Sequence, residues 1–268
     1  MSDLPALKDS ALTLEDRVAV LTFKRDDVRN ALTGTDIISD VVNTLAWANL
    51  SAEVSVLIVT GDGSAFSAGG NVKTMGERAK ALPHILQQNY KRGIQRIPLA
   101  FQDAEIPVIA AVNGPAIGAG FDMVNMCDIR IGSTNAQFGE TFVNLGIIPG
   151  DGGSWFLERL VGYQRAAELT LTGRIVKAEE ALALGLLLEV TAPEALLPRA
   201  RAIAAKMAAK PPIALRYAKR LLKLAQQQSL PEHLDVCSSF QALCHKTEDH
   251  AEALAAFFEK RRGKFKGC

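Results

Sequence analysis

The sequence has little of what marks nucleic-acid-binding or membrane proteins. Its 30 Lys and Arg nearly balance 29 Asp and Glu, for a net charge of +1, so no overall basic field attracts nucleic acid or an anionic membrane. No basic cluster is interleaved with the aromatic residues, which make up only 6% of the chain. The longest apolar runs are too short to span a bilayer. We therefore expect no nucleic-acid or membrane partner.

Histidine and cysteine are also scarce, and neither has metal-ligand spacing. The four His and four Cys residues are scattered, without an HxxxH or CxxC pair, so we expect no metal site. Four isolated thiols in 268 residues are typical of a reducing compartment. The N-terminal residues show neither the basic region nor the apolar region that follows it in a secretory signal peptide. The sequence therefore predicts a cytoplasmic protein without a secretory signal.

Several catalytic signatures are missing as well. No GxxxxGK[ST] or GxGxxG motif follows a predicted strand in the required context, which argues against nucleotide or dinucleotide binding. Ser67 and Ser154 have no GxSxG surroundings, so the sequence does not support a serine hydrolase.

Two glycine-rich turns about fifty residues apart are the most informative feature that is present. The first is residues 65–71 (AFSAGGN) and the second is residues 113–122 (NGPAIGAGFD). Each follows an apolar run typical of a buried strand, and each leads into a helix-like segment. Glycine lets the backbone bend sharply and approach a ligand closely. Two such turns can aim two backbone N–H groups at one oxygen, which is the arrangement of an oxyanion hole.

Strand and helix patterns alternate through most of the chain and then give way to helices alone. Crossover units of strand, turn and helix indicate an α/β core, here predicted over residues 1–197. Residues 198–268 are predicted to form a helical region that serves as a lid, an oligomerisation element or both. The strands are predicted at 17–23, 54–60, 107–112 and 128–131, and the helices at 35–48, 118–126, 200–209, 213–228, 230–246 and 249–262.

Six groups of residues in order resemble the crotonase family, also called the enoyl-CoA hydratase/isomerase family. They are RNAL at 29–32, FSAGGN at 66–71, GPAIGAG at 114–120, AQFG at 136–139 with LGIIPG at 145–150, TED at 247–249 and FFEKR at 257–261. The resemblance covers nearly the whole chain. It implies a spiral core of ββα turns, a C-terminal helical region that forms trimers or hexamers, and an acyl-CoA substrate with no further cofactor.

The resemblance also implies roles for five residues near the two turns. The N–H groups of Gly70 and Ala119 would hold the thioester oxygen, and Asp122 would act as general acid or base. Asp122 stands where hydratases normally have glutamate, and the alternative is an acid that merely suits a helix N-terminus. Phe142 occupies the family's second acidic position and cannot transfer a proton, so we expect it to shape the acyl pocket. Asp151 borders that pocket or, alternatively, caps the helix that follows.

The remaining expectations concern a third acid and the coenzyme A end of the site. Glu140 lies two residues before Phe142, and we expect it at the surface or at an interface. The resemblance places coenzyme A near residues spread along the chain, with a lysine that reaches the ligand of a neighbouring subunit: Arg29, Ala31, Ala68, Asn71, Val72, Lys73 and Lys260.

The resemblance implies hydration of a trans-2-enoyl-CoA through an oxyanion-stabilised enolate. Phe142 weakens the usual two-carboxylate mechanism, which leaves three alternatives open. They are a double-bond shift by one carboxyl group, thioester hydrolysis or cleavage on the same scaffold, and a non-catalytic acyl-CoA-binding scaffold.

Overall fold

Residues 4–78 and 80–268 are described by a computed structural model, and they form two sheets and a series of helices. The strands are β1 (Ser10–Glu15), β2 (Val18–Phe23), β3 (Val56–Gly61), β4 (Val108–Val112), β5 (Pro115–Ile117), β6 (Ile129–Ser133), β7 (Gln137–Gly139), β8 (Ile175–Lys177) and β9 (Glu189–Thr191). The helices are α1 (Ile37–Leu50), α2 (Met75–Arg78), α3 (Pro83–Arg92), α4 (Arg96–Asp103), α5 (Ala119–Met126), α6 (Gly153–Val161), α7 (Tyr163–Thr172), α8 (Ala178–Ala183), α9 (Leu196–Ala208), α10 (Pro212–Leu224), α11 (Leu230–Cys244) and α12 (Glu248–Phe258).

The larger sheet has six strands in the order β1-β2-β3-β4-β6-β9. β1 pairs with β2 antiparallel, and every other neighbouring pair is parallel. The inner strands β3 and β4 are almost entirely buried because helices cover both faces, which explains their continuous apolar sequences. A smaller sheet, β5-β7-β8, lies beside the second glycine turn.

Helix α9 covers one face of the larger sheet. Ala200 and Ala204 are fully buried and belong to one apolar cluster with Val20, Ile58 and Ile109 of the sheet. Small side chains let the helix approach the strands closely. The predicted boundary between residues 197 and 198 falls inside this helix, because α9 begins at Leu196 and packs against the core.

Helix α10 is fastened to the core by three cationic side chains on one of its faces. Arg216 donates to the carbonyl oxygens of Asn49 and Ser51, both at 2.9 Å, where α1 ends. Lys219 pairs with Asp128 at 2.7 Å, and Lys223 donates to carbonyl oxygens at the end of α4. Cations suit helix C-termini, where carbonyl groups lack partners within the helix.

Replacing Arg216 with alanine is expected to lower the free energy of unfolding by about 2 kcal/mol, because several carbonyl groups lose a charged donor. Urea unfolding followed by circular dichroism measures this loss. Lys206→Ala, an exposed position on α9, serves as the control and should change stability by less than about 0.5 kcal/mol. Equal stability of the two variants would show that Arg216 does not fasten α10.

No helix among the described residues is long and apolar enough to cross a bilayer.

Candidate active site

The two glycine turns touch each other. Ser67 and Ala116 form an isolated parallel bridge, and the Ile117 N–H donates to the Ser67 carbonyl at 3.0 Å. A Cβ atom on Gly120 would lie 2.3 Å from that carbonyl oxygen, and one on Gly69 would lie 2.3 Å from the Ile117 carbonyl oxygen. Glycine at these two positions is therefore what lets the turns meet.

Replacing Gly120 with alanine is expected to push the turns apart, lowering the free energy of unfolding by roughly 1–3 kcal/mol and turnover by about tenfold. Gly76→Ala is the matched control, because a Cβ on this α2 residue meets nothing within 4 Å. Denaturant unfolding and an enoyl-CoA assay measure the two effects. Wild-type behaviour of Gly120→Ala would show that the turns tolerate separation.

The N–H groups of Gly70 and Ala119 are free to bind a ligand. Ala119 is the first residue of α5, so its N–H has no partner within the helix. Neither N–H donates to another protein group in the part of the chain that the structure describes. A Cβ on Gly69 would lie 3.0 Å from the Ala119 nitrogen, which shows how closely the turns approach. The positive end of the α5 dipole adds to the attraction for a negative oxygen.

Both donors border a cavity of about 640 Å³. Most of its lining is apolar and includes Ile94, Phe142 and Ile147. Asp151 is the one Asp or Glu among the described residues that line it, and none of these lining residues is Lys or Arg. The cavity can therefore hold an apolar group whose one polar end faces two N–H donors and a carboxyl group.

Asp151 belongs to a cluster of three buried carboxyl groups. Asp122 lies in the first turn of α5, Glu140 follows β7, and Asp151 precedes α6; they are 0%, 1% and 4% exposed. The Asp122 carboxyl lies within hydrogen-bond reach of both others. A Cβ on Gly153 would lie only 2.0 Å from Asp122 Oδ1, so glycine makes room for this carboxyl.

Burial raises the pKa of all three acids. Burial and then the charges of Asp151 and Glu140 raise the pKa of Asp122 well above its ordinary value. Burial raises the pKa of Glu140 to about 7, against a hydrogen bond from Asp122 that lowers it. Burial also raises the pKa of Asp151. Three adjacent buried carboxyl groups cannot all be charged, so the cluster retains protons near neutral pH.

The sequence pattern of the enoyl-CoA hydratase/isomerase family matches residues 13–268. The chain belongs to this family. It is 34% identical to the crotonyl-CoA hydratase of Syntrophomonas wolfei, over 97% of this chain and 98% of that protein. It is also 34% identical to the 2,3-dehydroadipyl-CoA hydratase of Escherichia coli, over 97% of this chain and all of that protein.

A solved family structure confirms the predicted fold. The enoyl-CoA hydratase of Bacillus anthracis superposes with a TM-score of 0.91 at 34% identity, covering 97% of this chain and 100% of that one. A putative enoyl-CoA hydratase of Streptomyces coelicolor gives the same TM-score at 31% identity, covering 100% of this chain and 98% of that one. The α/β crotonase core with its helical C-terminal part is therefore the fold of this family member.

Of the three residues that the family resemblance placed around the acyl pocket, Phe142 and Asp151 line the cavity and Asp122 does not. Phe142 lines the cavity, and its ring lies 3.5 Å from the Cβ position of Gly118. Asp151 lines the cavity too and does not cap α6, whose N-cap is Gly152 without a side-chain bond. Asp122 lies behind Asp151, away from the cavity surface.

Glu140 is not at the surface, and that expectation was wrong. The short strand β7 ends at Gly139, and the chain turns inward, so that Glu140 is buried beside Asp122. Period-two alternation cannot be applied past a strand of three residues. The sequence offered one signal, an acid only two residues before the family's second acidic position.

Of the seven residues expected near coenzyme A, some line the cavity and the others do not. Ala68 and Val72 line the cavity, although the Ala68 N–H already donates to the Arg29 carbonyl at 2.9 Å. Asn71 and Lys73 do not line it; the Asn71 side chain accepts from the Lys73 N–H at 3.1 Å and caps a short 3₁₀ turn.

The other three do not line the cavity either. Arg29 is exposed in a left-handed turn with φ of 52°, and Ala31 is buried. Lys260 is exposed just after α12, also at positive φ. The buried Asn30 side chain ties the Arg29 loop to the first glycine turn by donating to the Ala65 carbonyl at 2.9 Å.

Two residues that the sequence did not single out hold the Asp151 loop. Gln95 Nε2 donates to the Gly150 carbonyl at 2.8 Å. The Tyr90 ring packs on the same glycine, since a Cβ there would lie 3.0 Å from the ring. Both come from the segment of α3 and the loop after it, and neither carries a motif.

Proposed function

We propose that this protein adds water across the double bond of a 2-enoyl thioester of coenzyme A. The observation that carries the proposal is one cavity bordered by the free N–H groups of Gly70 and Ala119 and by the Asp151 carboxyl. The family relatives named as hydratases support the same reaction.

The proposed reaction needs one cavity-facing carboxyl group. The Asp151 carboxylate removes a proton from water while the water oxygen bonds to C3. The π electrons of the C2–C3 bond move onto the thioester oxygen, where the two N–H groups of Gly70 and Ala119 stabilise the enolate. Asp151 then gives the proton to C2, and the thioester carbonyl forms again. One water is added, and the enzyme ends as it began.

In the proposed reaction Asp122 stabilises Asp151 and does not itself contact the substrate. Its carboxyl oxygens are fully buried and do not reach the cavity surface. Its high pKa keeps it neutral, and a neutral carboxyl group donates a hydrogen bond that stabilises the Asp151 carboxylate. The hydrogen-bonded pair of Asp122 and Asp151 thus takes the place of the second carboxyl group, which is missing because position 142 is phenylalanine.

A double-bond shift is the second candidate reaction, and the same observation favours it. A single cavity-facing carboxyl group can take a proton from one carbon and return it to another without water. Phe142 lines the cavity and makes it less polar, which suits this alternative.

The cavity lining favours an apolar acyl group. Leu86, Ile94, Leu145 and Ile147 line it, and no Lys or Arg among the described residues does. A carboxylate at the end of the acyl chain would therefore have no cationic partner there. We propose that this protein prefers apolar enoyl groups over a dicarboxylic one such as the dehydroadipyl group that the Escherichia coli relative is named for.

We also propose that the C-terminal helices join copies of the chain as trimers or hexamers, in the cytoplasm. Phe257 and Phe258 at the end of α12 are 76% and 77% exposed, which is unusual for such large apolar side chains. Lys260 follows directly and would then reach coenzyme A on a neighbouring copy. The proposed reaction uses no cofactor beyond the coenzyme A of the substrate. Light scattering should give a multiple of the 28.8 kDa chain mass, and a monomer would contradict the assembly.

Incubation with trans-2-enoyl-CoA esters of increasing length, followed by mass spectrometry, tests the proposed function. The expected product has gained one water. An unchanged mass with a moved double bond would replace hydration by isomerisation, and release of free coenzyme A would replace it by hydrolysis. Tight binding of the thioester without any product would support a scaffold and contradict both enzymatic proposals.

A further inference from the structure

Glu140 is a buried acid to which the proposed reaction gives no task. It is 1% exposed, and neither of its carboxyl oxygens meets a donor group among the described residues. The carboxyl group of Asp122 lies within hydrogen-bond reach of it. The three acids therefore form a row that runs from Glu140 through Asp122 to Asp151, and only Asp151 borders the cavity.

Among the described residues, no cation is seen to lower the pKa of any of the three acids in this row. Lys177 of β8, Glu168 of α7 and Glu180 of α8 stand at the surface, as does Arg174 in the loop before β8. On the neighbouring α6, Glu158 and Arg159 pair with each other, also toward the surface. Arg174 is paired there with both Glu168 and Glu180. The charge of Asp151 raises the pKa of Glu140, whereas the hydrogen bond with Asp122 lowers it. Among the described residues, no group of three or more acids, His or Cys is arranged to hold a metal ion.

Two protons are enough to form both hydrogen bonds of the row, one between Glu140 and Asp122 and one between Asp122 and Asp151. A carboxyl group can accept a hydrogen bond from another only if one of the two carries a proton. The remaining single charge is least costly where water can reach it, and Asp151, at the cavity, is the most exposed of the three. A protonated Glu140 then donates to Asp122, and Asp122 donates to the Asp151 carboxylate.

We propose that Glu140 is a positioning residue, whose protonated carboxyl group donates to Asp122 and thereby directs the Asp122 proton toward Asp151. This inference rests on the proposed role of Asp151 as the acid–base group. When Glu140 loses its proton it becomes an acceptor, and the Asp122 proton turns toward it and away from Asp151. Catalysis then loses the donor that stabilises the Asp151 carboxylate.

Glu140→Gln and Glu140→Leu test the inference through the pH dependence of kcat. Wild-type kcat should fall above about pH 7, where Glu140 ionises. Gln keeps an N–H donor at every pH, so the alkaline limb should move up by at least about one pH unit. Leu removes the donor and should lower kcat about tenfold below pH 7, with a smaller difference above pH 7, where wild-type Glu140 has itself lost the donor. Glu158→Gln, at the exposed surface of α6, is the control and should keep the wild-type profile.

Unfolding by urea at several pH values provides a readout that does not depend on activity. The pKa of Glu140 is raised on folding from 4.5 to about 7, so its contribution to stability is full at low pH and is lost as pH rises toward 7. Glu140→Gln should show a smaller loss over this range. If the wild-type protein had no hydratase activity, the proposed function would be wrong. The dependence of stability on pH would still show whether Glu140 holds a proton beside Asp122. If the pH profiles of kcat and of stability in Glu140→Gln were both the same as in the wild-type protein, the inference would be overturned.

Discussion

Asp151→Asn is expected to lower kcat by about 10²–10⁴-fold, because the amide cannot take a proton from water. Asp151 is the acid that borders the cavity, and the amide has nearly the same volume, so thioester binding should change little. Steady-state kinetics with a trans-2-enoyl-CoA and fluorescence titration of a saturated acyl-CoA measure the two quantities.

Asp103→Asn is a matched control, since Asp103 is exposed at the end of α4. It should keep full turnover. An Asp151→Asn protein that retains more than about a tenth of wild-type kcat would move the acid–base role away from Asp151, and the buried Asp122 would then have to reach the substrate by rearrangement.

Gly70→Pro is expected to lower kcat by roughly 10²–10³-fold, because proline has no N–H to offer the thioester oxygen. Gly70→Ala keeps the N–H and is the matched control. Its Cβ would lie 2.9 Å from Met75 Cε, which is the far end of a flexible side chain that can shift. Turnover assays on both variants measure the difference.

Circular dichroism and acyl-CoA binding establish whether each Gly70 variant is folded. A folded Gly70→Pro protein with the turnover of Gly70→Ala would remove this N–H from the oxyanion hole. Equal, severe losses in both variants would indicate that crowding near Met75, and not the missing donor, is responsible.

The core strands could be predicted from the sequence because they are continuous apolar runs bounded by turn residues. The run predicted at 54–60 is β3 (Val56–Gly61), and the run at 107–112 is β4 (Val108–Val112). Burial on both faces produces such runs, and the turn residues end them. The short strands β7, β8 and β9 have three residues each, too few to show any periodicity.

Helix ends were predicted less well than helix positions. The helix predicted at 249–262 ends at Phe258, because Glu259 caps it and Lys260 adopts a left-handed φ of 54°. The helix predicted at 213–228 ends at Leu224. The side-chain pattern continues past both ends, and backbone geometry, which the pattern does not report, stops the helices.

The candidate site could be predicted where backbone geometry defines it. The glycines of the two turns mark where strands bend toward one another, and the family resemblance then points to Gly70 and Ala119 as the two N–H donors. The grouping of Asp122, Glu140 and Asp151 depends on how α5, β7 and the loop before α6 pack in three dimensions. The family resemblance placed Asp122 at the substrate, and we expected Glu140 at the surface or an interface, whereas the structure buries both.

A crystal structure of the protein with a bound 3-hydroxyacyl-CoA tests the central claim most directly. The thioester oxygen should lie about 3 Å from the nitrogens of Gly70 and Ala119, and the 3-hydroxyl group should lie about 3 Å from the Asp151 carboxyl. A thioester oxygen that points away from both nitrogens, or a 3-hydroxyl group out of reach of Asp151, would contradict the account.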